Sequence, residues 1–468
     1  MPAPDAVLRA IDSGFERTVD ELIELARIPG VSAAGFDPQH VERSAEAVAS
    51  LLRGADLQGV EILRLPGAHP YVAAEWMGAG EAAPRVLLYA HHDVQPPGRI
   101  DRWDSPPFEP TRRGDGRLYG RGVVDDKAGA LVHLAALRAW LEVDGALPVN
   151  VKILVEGEEE IGSGHLAEFL VRYRERLDAD VIVLSDTANL ATGLPSLTTS
   201  LRGLVIVDVH VRALDHPLHS GMWGGVVPDA ATALASILGR LTDDEGAPAI
   251  PGLGDDLPPV DEVERLRLAN LPFEETEFRR DAGLPDGVRL AGVSDSSVYE
   301  RLWLRPSIAV TALEAMPLAE AASQLIAQSA ARVALRLAPG QDAGRARGLL
   351  EAFLKKDPPS GVEVDVRCEA ASTGWRTEPT GPAFDAALRA LATGFGCDPV
   401  FIGCGGTIPF VGPFAEQLGD VPALLLGLED PVCNAHGENE SLDLEDFRKS
   451  IYSLAHLLAE LAEAGLHR

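Results

Sequence analysis

Cysteine is scarce in this chain of 468 residues, and its four cysteines lie in the last quarter: Cys368, Cys397, Cys404 and Cys433. No Cys-x-x-Cys pair occurs among them, which predicts neither a disulfide framework nor a zinc ribbon. Long apolar runs are also missing, since none approaches the roughly 18 residues of a membrane span. We therefore expect a soluble protein of the reducing cytoplasm.

Basic residues are outnumbered: 41 Lys and Arg face 71 Asp and Glu, for a formal net charge of −30. Such a charge opposes binding to the phosphate backbone of nucleic acids and to anionic membrane surfaces. Residues 1–28 mix acidic side chains with apolar residues at helical spacing, which is unlike a signal or transit peptide. We expect neither nucleic acid nor a membrane as a partner.

Short apolar runs alternate with helical stretches up to about residue 186. After an amphipathic opening helix, we predict strands at 85–90, 151–155 and 181–184, and helices at 127–143 and 165–176. Strands that alternate with helices in this way are typical of an α/β fold, in which helices flank a mostly parallel sheet.

From about residue 202 the pattern changes to strands of alternating polarity, at 204–211 and 332–337, with a helix at 230–241 between them. We interpret residues 201–373 as an inserted α+β domain. A helix at 383–395 and a strand at 421–428 then resume the first domain. Residues 1–200 and 374–468 are therefore predicted to form one discontinuous domain, in keeping with a length that favours two domains.

Four of the apolar runs end in residue types that bind metals. These ends are His91-His92-Asp93, Glu158-Glu159-Glu160, Ser185-Asp186, and Glu429-Asp430 with His436 after a short loop. Ligands of α/β sheets bind outside the carboxyl ends of the strands. Adjacent glutamates are costly unless cations neutralise some of them. The pattern therefore predicts a metal centre at this edge of the sheet.

Each of these residues also has a structural interpretation. A strand-end histidine such as His91 is often a hydrogen-bonded core residue, and Asp93 could orient its imidazole. Asp125 follows a turn with two glycines and precedes a helix, so it could cap that helix or bridge two cations; for Asp126 we favour the cap. We expect Glu158 in a solvated loop.

Taken together, five motifs resemble the M20 metallopeptidase family. They are His91-His92-Asp93-Val94-Gln95-Pro96, the run 120–127, Glu159-Glu160, Ser185-Asp186 and the run 435–440. The motifs follow the family's order over almost the whole chain. Two segments are most similar to the dipeptidase and carnosinase branch: Asp93-Val94-Gln95-Pro96 and Trp303-Leu304-Arg305-Pro306-Ser307.

The resemblance implies a zinc-exopeptidase-like catalytic domain with two divalent metal ions per subunit. Zn²⁺ is the expected metal, although Mn²⁺ or Co²⁺ would also suit histidine and carboxylate ligands. The implied ligands are His91 and Asp186 for one ion, Glu160 and His436 for the other, and Asp125 as a bridge. Glu159 is then the general base for the attacking water, Asp93 orients His91, and a cis peptide bond follows Asp125.

The inserted domain is similar to the family's lid and dimerisation domain, so we expect a homodimer. His219 resembles the histidine that stabilises the transition state, often in the partner's site. Arg336 resembles the arginine that binds the substrate carboxylate. Gly405-Gly406-Thr407 resembles the loop that holds the substrate's end through N–H groups and a hydroxyl. Without the resemblance, His219 would be an ordinary turn residue and Arg336 a surface residue.

One departure from the family bears on the substrate. Gly403-Cys404 stands where dipeptidases often have Arg-Glu, so the usual contact with a free substrate amine is expected to be missing. We predict an enzyme that hydrolyses dipeptides or short peptides with a free C-terminal carboxylate. The alternative is an N-acyl-amino-acid deacylase of the same family. A third hypothesis, a non-catalytic binding or scaffold protein, would require a broken ligand set, and the implied ligands are intact.

Overall fold

The structure, a computed structural model, describes residues 1–292, 296–406, 414, 417, 419 and 421–466. Its helices are α1 Asp5–Ala26, α2 Gln39–Gly54, α3 Lys127–Asp144, α4 Leu166–Arg172, α5 Arg174–Leu177, α6 Ser220–Trp223, α7 Ala230–Leu238, α8 Glu262–Ala269, α9 Glu275–Asp281, α10 Val298–Leu304, α11 Ala343–Lys355, α12 Pro382–Phe395 and α13 Leu444–Glu463. Its strands are β1 Gln58–Leu63, β2 Tyr71–Trp76, β3 Arg85–His91, β4 Thr111–Arg112, β5 Arg117–Tyr119, β6 Asn150–Glu156, β7 Val181–Ala188, β8 Ser196–Leu201, β9 Gly203–Arg212, β10 Leu218–His219, β11 Ser307–Glu314, β12 Gln324–Leu325, β13 Gln328–Leu337, β14 Glu363–Ser372, β15 Trp375–Arg376, β16 Val400–Cys404, β17 Ala423–Glu429 and β18 Ser441–Asp443.

The chain forms two compact units. The first comprises Met1–Thr199, Glu378–Ile402 and Ile408–Arg468, and the second comprises Ser200–Thr377 and Gly403–Thr407. From the sequence we predicted that the inserted domain begins after residue 200 and ends at residue 373. The role of the second unit as a lid and dimerisation domain stays a prediction.

The first unit is built on a sheet with the strand order β1-β2-β6-β3-β7-β17-β8. Strand β3 pairs in parallel with β6 and β7, and β7 pairs in parallel with β17, whereas β1, β2 and β8 are antiparallel to their neighbours. Helices cover this sheet. The predicted α/β fold with a mostly parallel central sheet is therefore confirmed.

The central strands β3 and β6 are buried along almost their whole length because both faces of the sheet are covered. Every residue of β6 is buried, and β3 is buried from its second residue to its last. This is the usual pattern of a parallel sheet between two layers of helices. Helix α3 is likewise buried at every position from 127 to 140, with α1 and α13 packed against it. Most of these positions are apolar, as is usual for a helix in a core, and the exceptions are Lys127, His133 and Arg138.

Strand β1 was not predicted from the sequence, and its exposure is mixed. In β1, at the edge of the sheet, only the last residue is buried, so its side chains show no regular alternation. The helix predicted at 165–176 is divided into α4 and α5, because Tyr173 has φ −110° and ψ 18°, outside the helical region.

Among the described residues, we find no helix that is both long and apolar enough to cross a membrane.

The second unit contains an antiparallel sheet with the order β11-β13-β9-β14. Strand β9 alternates strictly, with Val205, Val207, Val209 and Val211 buried on one face. These valines share a core with apolar residues of α7 and α11. The alternating polarity of residues 204–211 thus reflects a sheet with one covered face.

We predict that Phe447→Ala lowers the free energy of unfolding by about 3–5 kcal/mol, because the ring is fully buried and a cavity would replace it. The ring lies 5.9 Å from that of Phe15 between centroids. Urea unfolding followed by circular dichroism measures the change. The control is Val171→Ala, whose side chain is 61% exposed and should change stability by no more than about 0.5 kcal/mol. Equal effects of the two substitutions would contradict the placement of Phe447 in the core.

Candidate metal centre

The residues of the predicted centre come from elements of the first unit that end close together. His91 is the last residue of β3, and Glu159 begins a 3₁₀ turn just after β6, the parallel neighbour of β3. Asp186 lies inside β7, on the other side of β3, since this strand continues to Ala188 rather than ending before the aspartate as we predicted. Asp125 precedes α3, and His436 follows β17. Parallel pairing therefore brings the ligand-type residues to one edge.

The Asp125 carboxylate lies between two imidazoles. Its Oδ1 is 3.0 Å from His91 Nε2, and its Oδ2 is 2.9 Å from His436 Nε2. Each carboxylate oxygen therefore faces a different histidine. This is the arrangement expected of a carboxylate that bridges two cations.

The remaining predicted ligands lie beside the same two histidines. Glu160 Oε2 is 3.1 Å from His436 Nε2, and Asp186 Oδ1 is 3.8 Å from His91 Nε2. Glu159 Oε2 is 4.0 Å from His91 Nε2. The structure thus brings together the five residues that the resemblance implies as ligands and the residue that it implies as a base.

Two further carboxylates, those of Asp126 and Glu429, belong to this cluster, although they are not among the ligands that the resemblance implies. Three groups have potential ligand atoms within 4.8 Å of one another: His91, Asp126 and Asp186; His91, Asp125 and Glu160; and Asp125, Asp186 and Glu429. Glu429 ends β17, the strand-end position at which we noted it in the sequence without assigning it as a ligand.

Asp126 occupies the N-cap position of α3, but its side chain makes no capping hydrogen bond. Its Oδ2 instead accepts a hydrogen bond of 3.0 Å from the backbone N–H of His91. Our interpretation of this side chain as a helix cap was therefore wrong. The Asp125–Asp126 peptide bond is cis, as the resemblance implied.

Asp93 holds both His91 and the glutamate loop in place. His91 Nδ1 lies 3.1 Å from the Asp93 carbonyl oxygen and 3.3 Å from its Oδ1. The same carboxylate accepts hydrogen bonds from Ser32 Oγ at 2.6 Å and from the backbone N–H groups of Glu159 and Glu160 at 3.2 and 3.1 Å. These contacts agree with an orienting role, which remains a prediction.

The prediction that Glu158 lies in a solvated loop was wrong. This side chain is 1% exposed. It accepts hydrogen bonds from Tyr71 Oη at 2.9 Å and from the backbone N–H groups of His165 at 2.9 Å and His69 at 3.3 Å. The local sequence carries no sign of these distant donors, since a run of glutamates looks the same whether it is solvated or paired.

The cluster carries more negative charge than a buried protein site can hold without cations. Burial raises the pKa of Glu159, Glu160 and Asp186, and neighbouring carboxylates raise them further. Burial and the charge of Asp125 raise the pKa of Glu429 to about 8. A divalent cation among these oxygens would reverse the effect and stabilise the carboxylates.

Neighbouring carboxylates raise the pKa of both histidines, against the opposing effect of burial. Hydrogen bonds with Asp125 and Glu160 raise the pKa of His436 to about 11. Burial alone would raise the pKa of Asp125, but hydrogen bonds with His436 and His91 lower it below its ordinary range. Imidazole nitrogens and carboxylate oxygens are ligands that zinc and similar divalent ions prefer. The residues present therefore fit such a metal.

The remaining predicted site residues lie in the second unit. His219 is exposed at the end of β10, where its Nδ1 accepts a hydrogen bond of 3.2 Å from the N–H of Gly221. Arg336 lies near the end of β13, opposite Ser307 of β11, and is partly buried. Gly405 and Gly406 follow β16. Thr407 lies outside the described residues.

A parallel sheet whose strand ends carry this set of imidazoles and carboxylates is typical of a metallohydrolase. The chain belongs to a family of such enzymes, since the model of peptidase family M20/M25/M40 matches residues 87–460.

Its similar proteins include a cysteinylglycine-S-conjugate dipeptidase of Corynebacterium striatum, 33% identical over 92% of this chain and 92% of that protein. A Beta-Ala-His dipeptidase of Rattus norvegicus is 29% identical over 84% of this chain and 80% of that protein.

Two solved structures resemble the chain as a whole, each with a TM-score of 0.85 and 26% identity. One is the di-peptidase Dug1p from Saccharomyces cerevisiae, where the match covers 98% of this chain and 98% of the other. The second is human carnosine dipeptidase 1, with 99% and 100% covered. The predicted resemblance to the dipeptidase and carnosinase branch is therefore confirmed.

We predict that His436→Ala lowers the amount of divalent metal bound per chain, because it removes the imidazole between Asp125 and Glu160. Metal content after dialysis against trace Zn²⁺, measured by mass spectrometry of the elements, tests this. The control is His216→Ala, which removes an exposed histidine of the second unit and should leave metal content unchanged. Equal metal content in the two variants would remove His436 from the ligand set.

Proposed function

We propose that this protein is a dipeptidase with two divalent metal ions per subunit, which hydrolyses dipeptides or short peptides with a free C-terminal carboxylate. The observation that carries the proposal is the Asp125 carboxylate, with one oxygen 3.0 Å from His91 Nε2 and the other 2.9 Å from His436 Nε2. The names of the similar proteins, which are dipeptidases of Cys-Gly conjugates and of Beta-Ala-His, support the substrate class.

The ligand set would divide between two ions. His91 and Asp186 would hold one, Glu160 and His436 would hold the other, and Asp125 would contact both. Zn²⁺ is the metal we expect, with Mn²⁺ and Co²⁺ as alternatives. When bound, such ions polarise a peptide carbonyl and lower the pKa of a water molecule.

Glu159 would accept the proton of the attacking water and deliver it to the leaving amine. Its side chain is 13% exposed, so water can reach it, and its Oε2 lies 4.0 Å from His91 Nε2. Burial and the charge of Asp186 raise its pKa. Bound cations would oppose this rise and keep the carboxylate in the ionised form that can accept a proton. Asp93 would keep the His91 imidazole in the orientation that presents Nε2 to the metal.

The second unit would supply the substrate contacts. Arg336 would bind the C-terminal carboxylate through its planar guanidinium, and His219 would stabilise the transition state. Gly405 and Gly406, with Thr407, would hold the end of the substrate. These roles, and the homodimer that we expect, rest on the resemblance of the motifs. The cytoplasmic location that we expect rests instead on the four cysteines without Cys-x-x-Cys spacing.

We predict that Glu159→Gln lowers the turnover of a dipeptide by about 10²–10⁴-fold, because an amide of the same size cannot accept a proton. Bound metal should not change, since Glu159 is not among the expected ligands. The control is Glu168→Gln on α4, where the same chemical change occurs at an exposed position. Turnover by Glu159→Gln at the rate of the control would refute the role as a base.

The substrate class is tested with metal-stripped protein, which is assayed before and after addition of Zn²⁺ or Mn²⁺. We expect cleavage of unblocked dipeptides only with metal, because the ligand residues alone provide no Lewis acid. N-acetylated amino acids and N-acetylated dipeptides are assayed beside them. Faster cleavage of the acetylated compounds would identify a deacylase instead, as the cysteine at position 404 allows. Absence of cleavage on every substrate, with metal bound, would contradict the proposal.

A further inference from the structure

A buried ion pair joins three segments of the first unit that carry or adjoin the expected metal ligands. Arg121 Nη1 lies 2.5 Å from Glu440 Oε2, and the two side chains are 1% and 0% exposed. Arg121 stands four residues before Asp125, and Glu440 four residues after His436. The pair is therefore close in sequence to two ligands without being one of them.

The Glu440 carboxylate organises the turn that presents Asp125. It accepts hydrogen bonds from the backbone N–H groups of Gly122 at 3.0 Å, Val124 at 3.1 Å and Asp125 at 3.3 Å. The Glu440 carbonyl oxygen accepts a fourth, of 3.0 Å, from the N–H of Gly120. Backbone donors that converge on one carboxylate hold a turn in a single conformation.

Arg121 organises the loop that presents His436. Its Nη2 donates to the carbonyl oxygens of His436 at 3.0 Å and Gly437 at 3.1 Å, and also to that of Pro96 at 3.2 Å. His436 has φ +63°, a left-handed conformation that is uncommon for residues other than glycine. Pro96 belongs to the segment that continues from His91 and Asp93.

We propose that Arg121 and Glu440 are positioning residues, which set the distance between Asp125 and His436 so that both can bind the same cation. The proposal deepens the proposed function, since it rests on the metal centre described there. Neither side chain would touch substrate or metal. The pair would act through the backbone of the two ligand-bearing segments.

A second buried ion pair of the same unit provides a matched control. Arg117 Nη1 and Nη2 lie 2.7 and 3.0 Å from the two oxygens of Asp430, and the side chains are 9% and 2% exposed. This pair bonds to Ser441 and Thr192, and Asp430 also accepts a hydrogen bond of 3.2 Å from the backbone N–H of Val432. Among the described residues, Arg117 donates to no carbonyl oxygen of residues 432–437. Its disruption removes a comparable buried interaction without releasing the Asp125 turn.

The test compares Glu440→Gln with Asp430→Asn. Thermal unfolding of the metal-free proteins measures the structural cost, and competition with a chromophoric chelator measures the affinity for Zn²⁺. We expect both variants to unfold at lower temperature than the parent protein. Affinity should fall by about 10–100-fold in Glu440→Gln, the usual effect of losing a group that orients a ligand, and by no more than about twofold in Asp430→Asn.

Equal Zn²⁺ affinity in Glu440→Gln and the parent protein would overturn the proposal and leave the pair a purely structural one. Equal losses in the two variants would do the same, because they would trace the effect to general destabilisation. If Glu440→Gln does not fold, Arg121→Lys provides the same comparison: it keeps the charge but loses the fork that reaches three carbonyl oxygens, so we expect weaker Zn²⁺ binding. Because no turnover is measured, a failure of the dipeptidase proposal would not be mistaken for a failure here.

Discussion

The structure of the first unit depends on the burial of several carboxylates around two histidines. Carboxylate oxygens of Asp125, Glu160 and Asp186 lie 3.0, 3.1 and 3.8 Å, respectively, from the Nε2 atom of His91 or His436. Carboxylates in such a place repel one another and are deprived of water, so they become stable anions only beside cations. The same carboxylates raise the pKa of His91 and His436, which favours positive charge on the two imidazoles. The same oxygens are suited to divalent metals, and this need for positive charge links the fold to the chemistry.

The parallel sheet makes this concentration of charge possible. Because β6, β3 and β7 run in one direction, their carboxyl ends lie at one edge, where chain segments distant in sequence meet. His91 and Asp186 are fixed within these strands. Asp125 and His436 instead lie in connecting segments, whose conformations the sheet does not determine. The centre thus combines rigid ligands with ligands that need support from other side chains.

The parts that could be predicted from the sequence are those with a local physical signal. The strands at 85–90 and 151–155 were recognisable because burial on both faces requires continuous apolar runs, whereas β1 is mostly exposed and shows no such pattern. The implied ligands could be named because their motifs resemble a family. Glu158 could not be placed, since its partner Tyr71 is 87 residues away in the chain.

The backbone around Arg121 and Glu440 explains why this buried pair is charged rather than apolar. An apolar pair of similar volume often replaces a buried ion pair without loss of stability. Here that exchange would leave the N–H groups of Gly122, Val124 and Asp125 without their carboxylate acceptor, and the carbonyl oxygen of His436 without its guanidinium donor. Buried backbone groups without partners are costly. The turn before Asp125 directs several N–H groups to one point and therefore requires an anion, which Glu440 provides. The loop at His436 directs carbonyl oxygens to one point and therefore requires a cation, which Arg121 provides. The two charges then stabilise each other.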